Sequence, residues 1–467
     1  MTEMLIKNGT VYTPTGAREA DVLVNDGAIT RVEAGLAAGE GAKVVDARGM
    51  YVLPGAIDIH VHSRDPGFPE KEDFSTLTAA AAAGGVTTVI DMPNTVPAVD
   101  SAGVLEAKAA LARAKARVDF GLWGLLRSTS TEEQLTELAD AGAVGFKAYL
   151  GYAFSLSRKQ VMQSLGSGDP DLEAPPDYGT LARLGPVIGE LGLPLAIHAE
   201  DPSVLLAFRR PLLGYQDLLD SRPAEAEAVA VSAAAVMARQ AGFNLHVAHL
   251  SSALGLQAVE DAQRMGTVLT AETCPQFLFL TDQDFERLGG AMKMLPPIRT
   301  AADRAALIDG LWRGTISIVG TDHAPHTDEE KGRAFEDVLS GTPGVQTLYL
   351  SCLELAKERG DVWRAVQWVS ERPAALAGLN DSKGAIAAGY DADIVIVDPN
   401  RKTTVNPAAM RSKQRHAALE GKEFSFAIKD VFLRGESVSR STRARGRMAR
   451  PVRRLQSVTQ LGGTFVP

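Results

Sequence analysis

Residues 54–64 read PGAIDIHVHSR, an apolar run that ends in His60, His62 and Arg64. Pro54, Gly55, Ala56, Ile57, Ile59 and Val61 suit a buried strand. Alternate residues of a strand share a face, so the two imidazoles and the guanidinium project the same way. One reading is a pair of satisfied core histidines. The other is a shared partner, because two imidazoles on one face of a core are costly to bury without one. Polar residues recur at the ends of other apolar runs: Lys147 in GFKAYLG, His198 in LAIHAED, His249 in VAHLSS and Asp322 in IVGTDHAPH. Seven of the eight histidines, all except His416, lie in such segments. Imidazole nitrogens together with a carboxylate suit a divalent metal of the zinc class. His246 stands three residues before His249, which on a strand turns it to the opposite face, and it reads as structural.

The elements that must position these groups are legible from residue 51 onward. Eight short apolar runs read as strands: YVLPGAIDIHVH, VTTVIDMPN, RVDFGLWGLL, AVGFKAYLG, LPLAIHAE, NLHVAHLSS, TVLTAETCP and ISIVGTDHAPH. Helical stretches such as DFSTLTAAAAAGG, TEEQLTELADAG, EAEAVAVSAAAVMARQAG and SALGLQAVEDAQRMG lie between them, several ending in glycine. Strands alternating with helices imply a parallel sheet, and eight such units predict an α/β fold of the closed (β/α)8 kind, with long loops at 151–180 and 201–222. Barrel enzymes gather their chemistry at the C-terminal ends of the strands, where His60 and His62 (first strand), Lys147 (fourth), His198 (fifth), His249 (sixth) and Asp322 (eighth) all fall. Lys147 is the odd member. Either it is a charged residue lining the barrel, or its charge is removed by a lowered pKa or a covalent change, since an ammonium repels metal ions.

Both ends of the chain have another texture. Residues 4–50 are short alternating runs with Asn-Gly and Asp-Gly turn signals, and DADIVIVDPN and FSFAIKDVFLRGESV resume the pattern later. Neither end has enough strands for a stable sheet alone. The economical arrangement is a small β-sandwich domain assembled from residues 1–52 and 385–440, a barrel over 53–384, and an arginine-rich tail at 441–467 that is solvated or clasps a partner. With 467 residues, 45% hydrophobic and 22% charged, the composition is that of a globular protein. There is no run long enough to span a membrane and no signal peptide, and only Cys274 and Cys352 are available as thiols, which predicts a cytoplasmic protein. The net charge of −9 argues against nucleic acid as a partner.

DIHVHSRDPG, KEDF, AAAAAGGVTTVIDMPNT, GFKAYLG, IHAED, AHLSS and GTDHAPHTDEEK resemble the cyclic amidohydrolases, the dihydroorotases, allantoinases and hydantoinases of the metal-dependent amidohydrolase superfamily. The resemblance covers nearly the whole barrel. It implies two divalent metals, zinc in the first place: His60, His62, a carbamate on Lys147 and Asp322 at one, and Lys147, His198 and His249 at the other. It further implies hydrolysis of a ring amide by water activated between the metals, with Asp322 as general base. By resemblance to dihydroorotases, Arg64, Asn94 and His326 hold a substrate carboxylate, which places dihydroorotate first as substrate. Pro275-Gln276-Phe277 and Leu295 depart from that pattern toward allantoinases and hydantoinases or dihydropyrimidinases, and a rim salt bridge from Arg64 to Asp65 or Glu72 is the plainer role for the arginine. The family also implies a homo-oligomer, dimer or tetramer. Some relatives that have lost metal ligands act as oligomeric scaffolds, but every expected ligand type is present here.

Overall fold

The computed structural model describes residues 3–165, 168–439, 441, 443 and 445–449. The fold is mixed α/β. Its N-terminal segment supplies five strands, β1 (Glu3–Thr13), β2 (Gly16–Asn25), β3 (Ala28–Glu33), β4 (Lys43–Asp46) and β5 (Tyr51–Pro54). Asp26 and Gly27 turn β2 into β3 with φ of +49° and +88°, the paired left-handed geometry that a two-residue hairpin favours. Asn8-Gly9, expected as another turn, instead forms a bulge inside β1, where the register shifts and Asn8 takes φ +61°. The Asn8 N–H donates to the Asp21 carboxylate at 2.9 Å, and a Cβ on Gly9 would stand 2.5 Å from Val52, so the bent strand passes its neighbour only as glycine. Before the bulge β1 pairs in parallel with β4, and after it with β5.

The apolar run YVLPGAIDIHVH, expected as one strand, is two. Gly55 divides β5 from β6 (Ala56–Val61): its N–H donates to the Asp393 carbonyl at 2.8 Å, and a Cβ there would overlap Thr87. Beyond β6 come β7 (Val86–Asp91), β8 (Asp119–Leu122) with its continuation β9 (Gly124–Leu125), and β10 (Phe146–Tyr149). The connection expected as a loop over 151–180 carries a small antiparallel sheet, β11 (Ala153–Ser155), β12 (Gln160–Met162) and β13 (Leu172–Glu173). The row resumes with β14 (Leu195–His198), β15 (Leu245–Val247), β16 (Leu269–Thr273) and β17 (Ile318–Val319). Each neighbour in the row β6 to β8 and β9 to β17 pairs in parallel. Val144 N–H donates to the Leu122 carbonyl at 3.0 Å where the two parts of the row meet, and His62 N–H donates to the His323 carbonyl at 2.8 Å just beyond β6 and β17.

The four helices expected between strands are found as Phe74–Ala83, Glu132–Asp140, Ala224–Ala241 and Ala253–Arg264. Asp73, Thr131 and Ser252 cap three of them by accepting first-turn N–H bonds, and Gly242 ends the fourth in the left-handed conformation at φ +76°. The segment 201–222, expected as a loop, contains helices Pro202–Ala207 and Tyr215–Ser221. Asp201 starts the first by accepting from the N–H groups of Ser203 and Val204, with proline at the first position, where its missing N–H costs nothing.

The C-terminal segment returns as β18 (Ile394–Asp398), β19 (Thr403–Thr404), β20 (Glu423–Phe424), β21 (Ala427–Leu433) and β22 (Glu436–Ser437). β18 pairs antiparallel with both β5 and β21, so strands from the two ends of the chain share one sheet, with Ile6, Val22, Val24, Ile394 and Phe432 in its core. Of the arginine-rich tail, 450–467 lie outside the described residues. Residues 445–449 follow β8, where Phe120 N–H donates to the Arg447 carbonyl at 3.0 Å and Ala449 N–H to the Phe120 carbonyl at 2.7 Å. Among the described residues no helix is long and apolar enough to cross a membrane.

Candidate metal and substrate site

The C-terminal ends of the parallel strands bring the chemically distinctive residues into one buried cluster. His60 comes from β6, Lys147 from β10 and His198 from β14, while His62, His249 and Asp322 stand just past β6, β15 and β17. One Asp322 oxygen lies 3.0 Å from His62 Nε2 and 3.3 Å from His60 Nε2. His198 Nδ1 lies 3.0 Å from His249 Nε2, and the His249 ring centroid is 5.2 Å from that of His60.

Hydrogen bonds behind the rings decide which nitrogen faces inward. The Glu272 carboxylate can only accept, so His60 Nδ1 carries the proton donated to it and the Nε2 lone pair faces Asp322. His62 Nδ1 donates to Asn94 Oδ1 at 2.7 Å, which turns its Nε2 lone pair toward the same carboxylate. His198 Nε2 donates to Glu200 at 2.6 Å and presents Nδ1 to His249. Burial lowers the pKa of His62, His198 and His249, the last well below the ordinary value, so these rings are neutral, as metal ligands must be. Lone pairs converging on a carboxylate oxygen with no proton between them suit a cation, and ligand atoms of His60, His62 and Asp322 all lie within 4.8 Å of one another.

Lys147 is fully buried, and its Nζ has no hydrogen-bond partner among the described residues. Burial pushes its pKa down to about 8 against the opposing pull of Glu272 and Asp322. An orphaned amine able to lose its proton near neutral pH fits a group that reacts with carbon dioxide and then serves two cations as a carboxylate.

Three residues of the site adopt left-handed backbone that non-glycine residues rarely take: Arg64 (φ +61°), His249 (+40°) and Asp322 (+48°). Buried carboxylates brace two of them. Glu227 accepts from the N–H groups of Ser251 and Ser252, each at 2.9 Å, behind His249. Asp58 accepts from Thr321 N–H at 3.1 Å behind Asp322.

The cleft above this cluster is lined by Arg64, Asn94, Tyr149, Tyr152, Gln163 and Leu295 among others. Arg64 donates from Nε to the Pro325 carbonyl at 3.2 Å, and no carboxylate lies within ion-pair distance of it among the described residues. The rim partners considered for it are engaged elsewhere: Asp65 with Lys115 at 2.7 Å, and Glu72 with the Lys413 N–H and, at 3.4 Å, His323. His326 is placed differently from the other two proposed clamp residues. Its ring stands behind Arg64, with Nε2 3.1 Å from Arg64 Nη2 and 3.0 Å from the Ser340 carbonyl. Burial, with Arg64 and Lys71 adding to it, pushes its pKa down to about 3. Gln276 also stays out of the cleft, donating to the Thr321 carbonyl at 3.1 Å, and Phe277 packs in the apolar core. Leu295 does face the cleft.

Several functional groups escape a reading of the sequence. Glu272 orients His60, and Glu200 orients His198 while pairing with Arg222. Arg222 also stands beside Tyr152, whose ring centroid lies 4.6 Å from that of His198. A carboxylate inside an apolar run, as in TAETCP, was the available signal, since a buried acid must be paired. His246 points into the same interior, 2.9 Å from Thr270 Oγ1 and 3.6 Å from Glu272, but does not line the cleft.

Comparison with known proteins names the class that this geometry suits. Residues 49–163 match the dihydro-orotase-like family and residues 222–438 the amidohydrolase family. The chain is 38% identical over 463 residues to an allantoinase of Streptomyces avermitilis, across 97% of this chain and 98% of that one. It is 34% identical over 457 residues to a dihydroorotase of Methanosarcina mazei, across 94% and 96% respectively. The solved L-hydantoinase (dihydropyrimidinase) from Arthrobacter aurescens superposes with a TM-score of 0.86 at 28% identity, over 96% of this chain and 100% of that one. The chain therefore belongs to the cyclic amidohydrolases, metal-dependent enzymes that hydrolyse the C–N bonds of cyclic amides.

Proposed function

We propose that the enzyme opens a cyclic amide whose ring carries a carboxylate, of the dihydroorotate type, giving carbamoyl aspartate. Arg64 carries this reading: a half-buried guanidinium lining the cleft with no carboxylate partner among the described residues calls for an anionic ligand. Allantoin and simple hydantoins have no ring carboxylate to offer. A second reading, allantoinase or hydantoinase, is favoured by the apolar Leu295 in the cleft wall and by the allantoinase relatives.

The reading includes two divalent cations of the zinc class, one held by His60, His62 and Asp322 and the other by His198 and His249, with a carbamate on Lys147 shared between them. When bound, such ions polarise the ring carbonyl and make water at the site more acidic. The chain's own groups do the rest. Arg64 and Asn94 orient the ring, and water adds to the amide carbon. Asp322 takes the proton and hands it to the ring nitrogen as the C–N bond breaks. Asp322 is held below its ordinary pKa, so it is ionised and able to accept.

The same reading takes the eight parallel strands as a closed (β/α)8 barrel over 53–384, supported by the His62–His323 backbone bond between first and last strands, and the shared sheet as a sandwich-like domain of 1–52 and 385–440. It assigns the enzyme to the cytoplasm, in keeping with two buried free cysteines, and to a dimer or tetramer, in keeping with exposed Leu206, Phe208 and Leu213 in one segment. Turnover of dihydroorotate, allantoin, dihydrouracil and substituted hydantoins, measured side by side, tests the substrate. Arg64→Met should lower kcat/KM for dihydroorotate about ten- to a hundredfold and barely change that for dihydrouracil. Efficient turnover of allantoin or a hydantoin with dihydroorotate untouched sinks the carboxylate reading.

A further inference from the structure

We propose that the Tyr149 hydroxyl is a third donor to the substrate carboxylate, beside Arg64 and Asn94, and so a specificity-determining group of this enzyme; the proposal rests on the carboxylate reading above. Tyr149 ends β10 two residues after Lys147, so both side chains leave the same strand face. Tyr149 stands roughly two strand rises, ~6.6 Å, nearer the mouth of the cleft. Its ring lies 5.3 Å from Lys147 Nζ and stacks on Tyr152 with centroids 5.7 Å apart and planes 9° from parallel. These contacts aim the hydroxyl and leave it little freedom.

That hydroxyl is an anomaly as it stands. Tyr149 is 5% exposed, lines the cleft, and its oxygen has no hydrogen-bond partner among the described residues. Buried polar atoms are almost always paired, and an unpaired one on a residue that lines a cleft marks where a ligand atom belongs. Its neighbour Tyr152 differs, because the Arg222 guanidinium stands beside the Tyr152 hydroxyl.

The neighbouring donors identify the ligand atom. Arg64 has Nε on the Pro325 carbonyl and Nη2 against His326, and Nη1 remains for the cleft. Asn94 gives its oxygen to His62, and its amide N–H groups remain. The Arg64 guanidinium, the Asn94 amide NH2 and the Tyr149 phenol line the same cleft, and three donors together match a group that only accepts, which is a carboxylate. His326 supports this wall from behind, as a positioning residue for Arg64.

The test is Tyr149→Phe, which removes one oxygen and keeps the stacked ring. Binding of orotate and of uracil, two flat rings that differ by the carboxylate, is measured by calorimetry for wild type, Tyr149→Phe and Arg64→Met. kcat/KM is measured on dihydroorotate and dihydrouracil with the same proteins. Tyr149→Phe should weaken orotate binding and lower efficiency on dihydroorotate by about five- to thirtyfold, with uracil and dihydrouracil changed by less than about twofold. If Arg64→Met impairs the carboxylated ligands and Tyr149→Phe does not, the assignment of Tyr149 fails while the carboxylate reading survives. Equal losses on carboxylated and uncarboxylated rings also overturn it, since the hydroxyl would then serve the site in general. If wild type binds orotate no better than uracil and Arg64→Met changes neither, the carboxylate reading itself has failed.

Discussion

Glu272→Gln is the sharpest perturbation of the proposed metal site, because it changes a charge without changing a shape. The Glu272 carboxylate accepts from His60 Nδ1 and from His249 N–H at 3.3 Å, and its second oxygen lies 3.6 Å from His246 Nε2. After the substitution the side-chain carbonyl still accepts from His60, while the new amide faces His246, so packing and tautomer are kept. What is lost is the negative charge that makes His60 Nε2 a stronger electron donor. Carboxylate partners of ligating histidines are worth about 10- to 100-fold in metal affinity, or ~1.4–2.7 kcal/mol. Zinc titrated against a chromophoric chelator should show that loss at one site, the one that includes His60, with circular dichroism confirming an unchanged fold. Zinc affinity equal to wild type in a folded variant would show that the carboxylate does not tune His60, and the argument from converging lone pairs would lose its support.

The remaining predictions concern the lysine and the base. Lys147→Met should abolish tight binding of at least one zinc ion, and a variant with full metal content would rule out the shared carbamate. In metal-free, carbon-dioxide-free buffer the same residue has a pH signature. Its folded-state pKa of about 8 lies below the ordinary 10.5, so between these values the unfolded chain holds the proton more tightly and wild-type stability rises with pH. Urea unfolding should show a gain of up to about 3 kcal/mol for wild type relative to Lys147→Met from pH 8 to 10.5, and parallel curves for the two proteins would contradict it. Asp322→Asn keeps the side-chain shape but removes the proton acceptor, so kcat should fall about 10²- to 10⁴-fold; a variant within tenfold of wild type means that another group moves the proton.

What could be read without coordinates was whatever depends on near neighbours in the chain. Alternation along one extended run places His60 at the end of β6 and His62 just past it on the same side, and period and capping place the helices Phe74–Ala83 and Ala253–Arg264. Local patterns failed where a distant segment decides the outcome. Asn8-Gly9 has the composition of a hairpin turn, but Asp21 and Val52 make it a bulge, and Gly55 splits one apolar run because Thr87 of β7 crowds it and the Asp393 carbonyl takes its N–H. The site divides along the same line. Residue types that could ligate a metal were visible in the sequence, because imidazoles at the ends of apolar runs are costly without a shared partner. Only tertiary structure shows Glu272 reaching His60 across 212 residues of chain, His326 behind Arg64, and a Tyr149 hydroxyl left without a partner. Hydrogen bonding and desolvation depend on what surrounds an atom in space, and for these residues the surroundings come from strands that meet only when the parallel row is assembled.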